Sequence, residues 1–399
     1  MKTALVLFTN PMQNLDSDYL GKICNSFTLG GYSIDCIEIL SLSDDLGFKR
    51  CIDRFKDTVD NLVVVYNEQV KFNIKKIIAD QMDSELVENE NAVKIIDALS
   101  KAHGRTYSEQ YALMPMDATL RPNISGAFQG FMIDDNEFTF VLLPGDIEQY
   151  KVALEKYLFA YLDKKFCLEK KRLVLKYFGK QNLLDSAIEQ SRQVTQESIT
   201  ITYVQSFGDF TISLVGKESG VNQVARQLIS LLKDNLYAEK EVSLGERLFD
   251  LLKLRNLKIA TAESFTGGRI VTSLINNVGA SDHVYEGIVS YTEQSKSARL
   301  MINPKDIEKD GVVSAKTAYH MATGLLSTGK VDLAISTTGF AGPYTEHTSD
   351  PVGLAYIGIG MLDGVHTYRL NLSGSREEIT ETAKNTALFL AIKKLKNIK

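Results

Sequence analysis

Ser264 stands in the run Thr261-Ala262-Glu263-Ser264-Phe265-Thr266-Gly267-Gly268, between an apolar stretch at 257–260 and an amphipathic one at 270–278. A hydroxyl at a strand-to-helix junction projects beyond the sheet. Glycines behind it leave backbone N–H groups at the positive end of a helix, where an anion or oxyanion can bind. Two chemistries suit this arrangement: a serine nucleophile facing an oxyanion site, or a phosphate cradle. A plain Ser/Thr N-cap over a glycine turn explains the residues equally well, because short glycine motifs recur by chance.

A serine nucleophile needs a base. His283, His320, His347 and His366 are scattered, with no Ser-His-Asp order around them. A lysine that is partly desolvated is the other option, since burial lowers its pKa and frees it to accept a proton. Lys296 follows Tyr291 by five residues, where an apolar strand ends and a helix starts. On general grounds a lysine in that place is more often a solvated surface group, and Tyr291 a residue at the edge of the core. Thr337-Thr338-Gly339-Phe340-Ala341-Gly342-Pro343 reads as a strand running into a turn. Its glycines permit close backbone approach to a ligand and its hydroxyls can contact phosphate, although a plain tight turn needs the same residues. Arg376 falls in the first turn of a helix, against the helix dipole. A phosphate or carboxylate ligand accounts for it, and so does a surface salt bridge.

The elements that must hold these groups belong to an α/β protein. The chain has 399 residues, 44% hydrophobic and 24% charged, which suits a soluble globular protein of two or three domains. A net charge of −5 gives no footing to binding nucleic acid by bulk electrostatics. No apolar run approaches membrane-span length, and residues 1–8 read as a short strand rather than a signal peptide. The four cysteines, Cys24, Cys36, Cys51 and Cys167, have neither metal-type nor disulfide-framework spacing. A reduced cytoplasmic protein with no metal and no cofactor is expected. Three domains are read. Residues 1–165 alternate strands (3–8, 32–38, 62–66, 138–143) with helices (18–27, 151–162), and a basic linker follows at 164–172. Residues 170–238 form a small α+β unit, a spacer or dimerisation module, with strands at 172–178, 198–204 and 210–215 and helices at 183–190 and 220–232. Residues 242–399 form an α/β sandwich that opens on a capping box at Ser243 and Glu246 and closes on a long helix after a second box, Ser375 with Glu378.

The third part resembles the CinA C-terminal domain, the nicotinamide-nucleotide amidase family, over nearly its whole length. The likeness rests on six motifs in order: 262–268, Val289-Ser290-Tyr291 with Lys296, Gly311-Val312-Val313-Ser314, Gly339-Phe340-Ala341-Gly342-Pro343, Pro351-Val352-Gly353 and Ser373-Gly374-Ser375-Arg376. The resemblance implies hydrolysis of the carboxamide of nicotinamide mononucleotide to nicotinate mononucleotide and ammonia, by Ser264 with Lys296 and Tyr291 as its activating pair. The family often has cysteine where this chain has Phe265; no cysteine occurs in 242–399, so no thiol competes with Ser264. Strand–turn–helix geometry suggests oxyanion donors among the N–H groups of Thr266, Gly267 and Gly268. Arg376 with Gly339, Ala341 and Gly342 would hold the phosphate or ribose.

The loops depart from the family pattern at Tyr344-Thr345-Glu346, at Asp350 in place of a lysine and at Ser375 in place of an aspartate. These changes keep a second expectation open, a non-catalytic nucleotide-binding or regulatory protein on the same fold. The first part resembles a molybdopterin-binding-like domain, through Ala112-Leu113-Met114-Pro115, Ala118-Thr119, Pro122-Asn123, Gly130-Phe131 and Leu143-Pro144-Gly145. The family's glycine-rich loop and paired aspartates are replaced by Tyr66-Asn67-Glu68-Gln69-Val70-Lys71-Phe72. The ADP-ribose pyrophosphatase activity associated with that domain is therefore expected to be absent, since a divalent metal would lose its carboxylates. The middle part resembles a KH-type segment but has no Gly-x-x-Gly clamp, so RNA binding is not expected. A homodimer is implied by the resemblance alone.

Overall fold

The computed structural model describes residues 1–9, 17–124, 126–135, 137–145, 150, 153–166, 168, 170–344 and 349–396. Lys151, Cys167, Thr345, Glu346 and His347 lie outside the described residues. Two compact units are formed. Unit 1 holds Met1–Arg172 with Glu197–Thr202 and Ser213–Val221; unit 2 holds Leu173–Gln196, Tyr203–Ile212 and Asn222–Lys399.

In unit 1 the elements run β1 (Thr3–Thr9), α1 (Ser17–Leu29), β2 (Cys36–Ser41), α2 (Asp45–Lys56), β3 (Asn61–Val65), α3 (Ile74–Gln81), β4 (Leu86–Glu88), α4 (Glu90–His103), β5 (Leu113–Pro115), β6 (Thr119–Arg121), β7 (Gly130–Asp134) and β8 (Thr139–Leu143). A π-helical stretch, Leu154–Phe159, leads into α5 (Ala160–Lys165). The main sheet has the order β2-β1-β3-β8-β7-β6. Its inner strands β1 and β3 are paired in parallel and buried on both faces. That is why 4–8 and 62–65 read as unbroken apolar runs. Residues 32–38, expected as a strand, give way to a strand starting only at Cys36. Tyr32 stacks instead on Phe159, ring centroids 4.9 Å apart, and its hydroxyl donates to Asp163.

Four strands, β9 (Lys171–Phe178), β10 (Thr200–Ser206), β11 (Asp209–Gly216) and β12 (Leu236–Ala238), make a sheet of order β10-β11-β9-β12, with helices α6 (Gln181–Arg192) and α7 (Glu218–Leu232). The strand expected at 172–178 starts one residue earlier, at Lys171, a residue expected in the linker.

The rest of unit 2 runs α8 (Leu244–Arg255), β13 (Ile259–Glu263), α9 (Arg269–Ile275), β14 (Val284–Val289), α10 (Glu293–Leu300), α11 (Pro304–Asp310), α12 (Ala315–Leu326), β15 (Leu333–Gly339), β16 (Leu354–Met361), β17 (Gly364–Asn371) and α13 (Arg376–Lys396). The capping box at Ser243 and Glu246 opens α8 as expected. The sheet order is β14-β13-β15-β16-β17. The first three strands are parallel and the last two return antiparallel. One face packs Ile259, Ile335, Ile357 and Ile359 against Leu248, Leu252, Leu388 and Ile392 of α8 and α13. The other packs Ala260, Ala262 and Ala334 against Met321, Ala322 and Leu325 of α12. Small residues there let α12 lie close: a Cβ on Gly358 would sit 2.8 Å from the Ala318 carbonyl oxygen.

Register does the positioning. Glu263 pairs with Val289 on one side and with Thr337 on the other. The carboxyl ends of β13, β14 and β15 are therefore level, and the chain leaves all three at one edge of the sheet. Ligands of open α/β sheets bind at such an edge.

Candidate active site

The chain leaves β13 through a turn that ends on Gly267 and Gly268, both in the left-handed region at φ +62° and +89°. Glycine takes that backbone without strain. The turn is tied down. Ser264 N–H donates to the Thr337 carbonyl at 3.1 Å, and Gly267 N–H donates back to Ser264 O at 3.1 Å. The Thr266 hydroxyl, fully buried, shares a 2.7 Å hydrogen bond with Thr337 Oγ1.

Lys296 comes from α10, one turn after Thr292 caps that helix through Ser295 N–H. Its side chain is 0% exposed. The expectation of a solvated lysine is overturned, because α10 turns the residue inward at the sheet edge. Lys296 Nζ lies 3.0 Å from Ser264 Oγ, 2.9 Å from Ser290 O and 3.3 Å from Tyr291 O. Burial pushes the ammonium down to about 8, with the Glu293 charge acting in the opposite direction. No carboxylate pairs with it among the described residues. A lysine held this way is neutral in about a tenth of molecules at pH 7 and in about half at pH 8. It can then accept the Ser264 hydroxyl proton across the 3.0 Å separation, as a general base must.

A cavity of about 470 Å³ opens over this pair. Ser264, Phe265, Tyr291, Lys296, Val312, Val313, Thr338, Gly339, Phe340, Ala341, Gly342, Pro343, Tyr344 and Arg376 line it, with no acid among the described residues. The Thr338 hydroxyl donates to Val312 O at 2.7 Å and so draws the 311–314 segment to the rim. Arg376 donates to Gly342 O at 2.7 Å and reaches the Tyr291 hydroxyl at 3.4 Å. It has no carboxylate partner among the described residues, which leaves the salt-bridge reading of its position without support. Ser375 and Glu378 form their capping interaction at the start of α13.

Seven of the ten site residues read from the sequence thus meet in one cavity: Ser264, Tyr291, Lys296, Gly339, Ala341, Gly342 and Arg376. Thr266, Gly267 and Gly268 do not line it. Gly267 N–H is used by Ser264 O, and Gly268 N–H donates to Glu263 Oε2 at 3.0 Å. As oxyanion donors these two glycines are withdrawn. The N–H groups of Phe265 and Thr266 have no acceptor among the described residues. Tyr291 is 61% exposed and its hydroxyl turns to Arg376, not to Ser264, so its backbone rather than its phenol serves Lys296.

Glu263 is the residue that sequence reasoning passed over. It is 0% exposed and forms no ion pair among the described residues. Its carboxylate accepts N–H bonds from Gly268 (3.0 Å), Ile270 (3.1 Å) and Val271 (2.9 Å), and the Thr261 hydroxyl at 3.3 Å. The open helix end expected behind Ser264 is closed by the chain's own anion. An acid directly before the glycine turn was the available signal. The histidines His283, His320 and His366 are all absent from the cavity lining. Among the described residues no group of three His, Cys, Asp or Glu is placed to hold a metal ion, and no helix is long and apolar enough to cross a membrane.

Residues 241–395 match the family model described as the CinA C-terminal domain. A Clostridium botulinum (strain Langeland) protein named as competence-damage inducible is 30% identical over 336 residues, 81% of each chain. One from Caldanaerobacter subterraneus, named likewise, is 32% identical over 317 residues, 76% of each. A solved competence/damage inducible protein from Agrobacterium tumefaciens is 30% identical, with 40% of this chain and 100% of that one covered at a TM-score of 0.37. The likeness to the curated relatives extends well beyond residues 241–395, and the chain belongs to the CinA family of competence-damage inducible proteins.

Proposed function

We propose that this chain is a nicotinamide-nucleotide amidase, which converts nicotinamide mononucleotide to nicotinate mononucleotide and ammonia at Ser264. The observation that carries the reading is the fully buried Lys296 ammonium 3.0 Å from Ser264 Oγ, paired with no carboxylate among the described residues, in a cavity that Arg376 also lines. Neutral Lys296 takes the Ser264 proton as Oγ adds to the carboxamide carbon. The tetrahedral intermediate expels ammonia, the Lys296 proton going to the leaving nitrogen. Water, deprotonated by the same lysine, then attacks the acyl-serine ester and restores the Ser264 hydroxyl. The unused N–H group of Phe265, which lines the cavity, is the oxyanion donor in this scheme. Arg376 takes the 5′-phosphate, and the apolar rim from Phe265, Phe340 and Val312 suits the pyridine ring.

The division into domains at 1–165, 170–238 and 242–399, a cytoplasmic setting and a homodimer belong to the same proposal. Ammonia and nicotinate mononucleotide release by the wild type and by Ser264→Ala tests it. Release by the wild type that is lost in the variant is the expected result. Release that survives Ser264→Ala removes the serine from its role. A wild type that binds nicotinamide mononucleotide without turnover favours a non-catalytic nucleotide-binding protein.

A further inference from the structure

Glu263 is where the three parts of the candidate site are joined. Its side chain reaches forward to the first turn of α9 and takes the N–H groups of Gly268, Ile270 and Val271. Its main-chain carbonyl accepts Ser290 N–H at 2.8 Å, and the Ser290 carbonyl in turn accepts from Lys296 Nζ at 2.9 Å. Its own peptide carbon carries Ser264. One residue therefore fixes the nucleophile's turn at its start, ties the far end of that turn to the same carboxylate, and sets the height of the strand end that holds the lysine. A buried carboxylate without a cation is costly unless its lone pairs are filled, and here backbone dipoles fill them. The donors that fill the carboxylate are Thr261, Gly268, Ile270 and Val271, and Lys296 is not one of them.

We infer that Glu263 is a positioning residue for the Ser264–Lys296 pair: its carboxylate clamps the 264–268 turn against α9 and so holds the hydroxyl at hydrogen-bond distance from the amine. This rests on the amidase reading only for the choice of substrate. Glutamine in its place keeps the volume but puts an NH₂ group against backbone N–H donors. A misplacement of about 1 Å at a reacting atom costs about 100-fold in rate.

The test is Glu263→Gln in the full chain, with two readouts. Turnover of nicotinamide mononucleotide is expected to fall about 100-fold in kcat with KM changed less than about threefold, and the acid-side inflection of the pH profile is expected to stay where the wild type has it. Labelling of Ser264 by a fluorophosphonate probe, which needs the activated hydroxyl but not the natural substrate, is expected to slow in parallel. A residue that merely stabilised the fold would lower the melting temperature while the folded protein kept its wild-type labelling rate, and that result overturns the inference. If the wild type does not turn over nicotinamide mononucleotide, slowed labelling in the variant still supports the clamp while the substrate reading fails. If Glu263→Gln does not fold, Thr261→Val removes the hydroxyl bonded to Oε1 with little change of shape. Slower labelling there upholds the clamp and an unchanged rate refutes it.

Discussion

Turnover should rise about tenfold between pH 7 and pH 9, with a single ionisation on the acid limb that belongs to Lys296. Burial holds this ammonium at about 8, below the ordinary lysine value. The neutral fraction is then about 9% at pH 7, about 50% at pH 8 and about 90% at pH 9. If the neutral amine is the base, log kcat/KM climbs with unit slope below the inflection and levels off above it. Starting at pH 7 keeps the substrate phosphate above its second ionisation near 6, so that group does not bend the curve. Glu293 is the charge that raises the lysine. Glu293→Gln should therefore move the inflection to lower pH and increase activity at pH 7, while the plateau near pH 9 stays put. Lys296→Met removes the base and should abolish the pH-dependent limb together with activity. Its effect on stability works out near zero. Holding a lysine about 2.4 pH units below its unfolded value costs roughly 3 kcal/mol at pH 7, and the methionine variant is relieved of that. It gives up three hydrogen bonds, to Ser264, Ser290 and Tyr291, at about 1 kcal/mol each. Steady-state kinetics from pH 7 to 9.5, with urea melts of both proteins at pH 7, measure all of this. A flat profile for the wild type, or an acid inflection that survives in Glu293→Gln without moving, would refute the assignment of Lys296 as the base.

Arg376→Gln should lower kcat/KM for nicotinamide mononucleotide about 10- to 100-fold, the cost of losing a charged hydrogen-bonding partner of about 1.5–3 kcal/mol, and should leave the rate with the unphosphorylated riboside much less affected. Comparing the two substrates on both proteins checks it; an equal loss on both would mean that Arg376 only props the Gly342 turn. In unit 1, Lys75 has its ammonium buried 4.9 Å over the Phe128 ring, donating to Tyr111 O, and desolvation lowers it to about 7. The unfolded chain binds this proton up to about pH 10.4, so stability should rise with pH between about 7 and 10. Thermal melts at pH 6.5 and 9 should show a larger gain for the wild type than for Lys75→Met, and equal gains would exclude Lys75 as the source.

Much of the fold could be read because burial and periodicity coincide. β1, β3 and β15 are flanked on both sides, so their apolar runs stand out at nearly their true lengths, whereas β13 begins two residues into the 257–260 run and continues through Thr261 and Glu263, whose polar side chains hide it. Helices α2, α3 and α4 went unnamed, because their apolar positions are interleaved with lysines and acids that a surface loop would also carry. Lys296 shows the limit of the composition argument. A lysine is usually solvated, and nothing in 290–296 alone says that register will level three strand ends and turn this one inward.

The helix end behind Ser264 teaches the opposite lesson. Glycines at the start of a helix announce a positive, donor-rich seat, and by sequence alone that seat is open to a ligand. Glu263 sits five residues ahead of Gly268 and on a strand, outside the first turn where an acid normally complements a helix. Only the tight left-handed backbone at Gly267 and Gly268 folds the chain back far enough for that carboxylate to reach the N–H groups of Ile270 and Val271. The seat is thus filled from within. What the arrangement leaves for a substrate is the cavity side of the turn, where the Phe265 N–H group has no acceptor among the described residues and Lys296 meets Ser264. On the amidase reading the substrate's own anion goes to Arg376, which lines the cavity, whereas Gly268 at the helix end does not. A phosphate bound at the N-terminus of α9 in a crystal of the complex, displacing Glu263, would be the result that reverses this assignment.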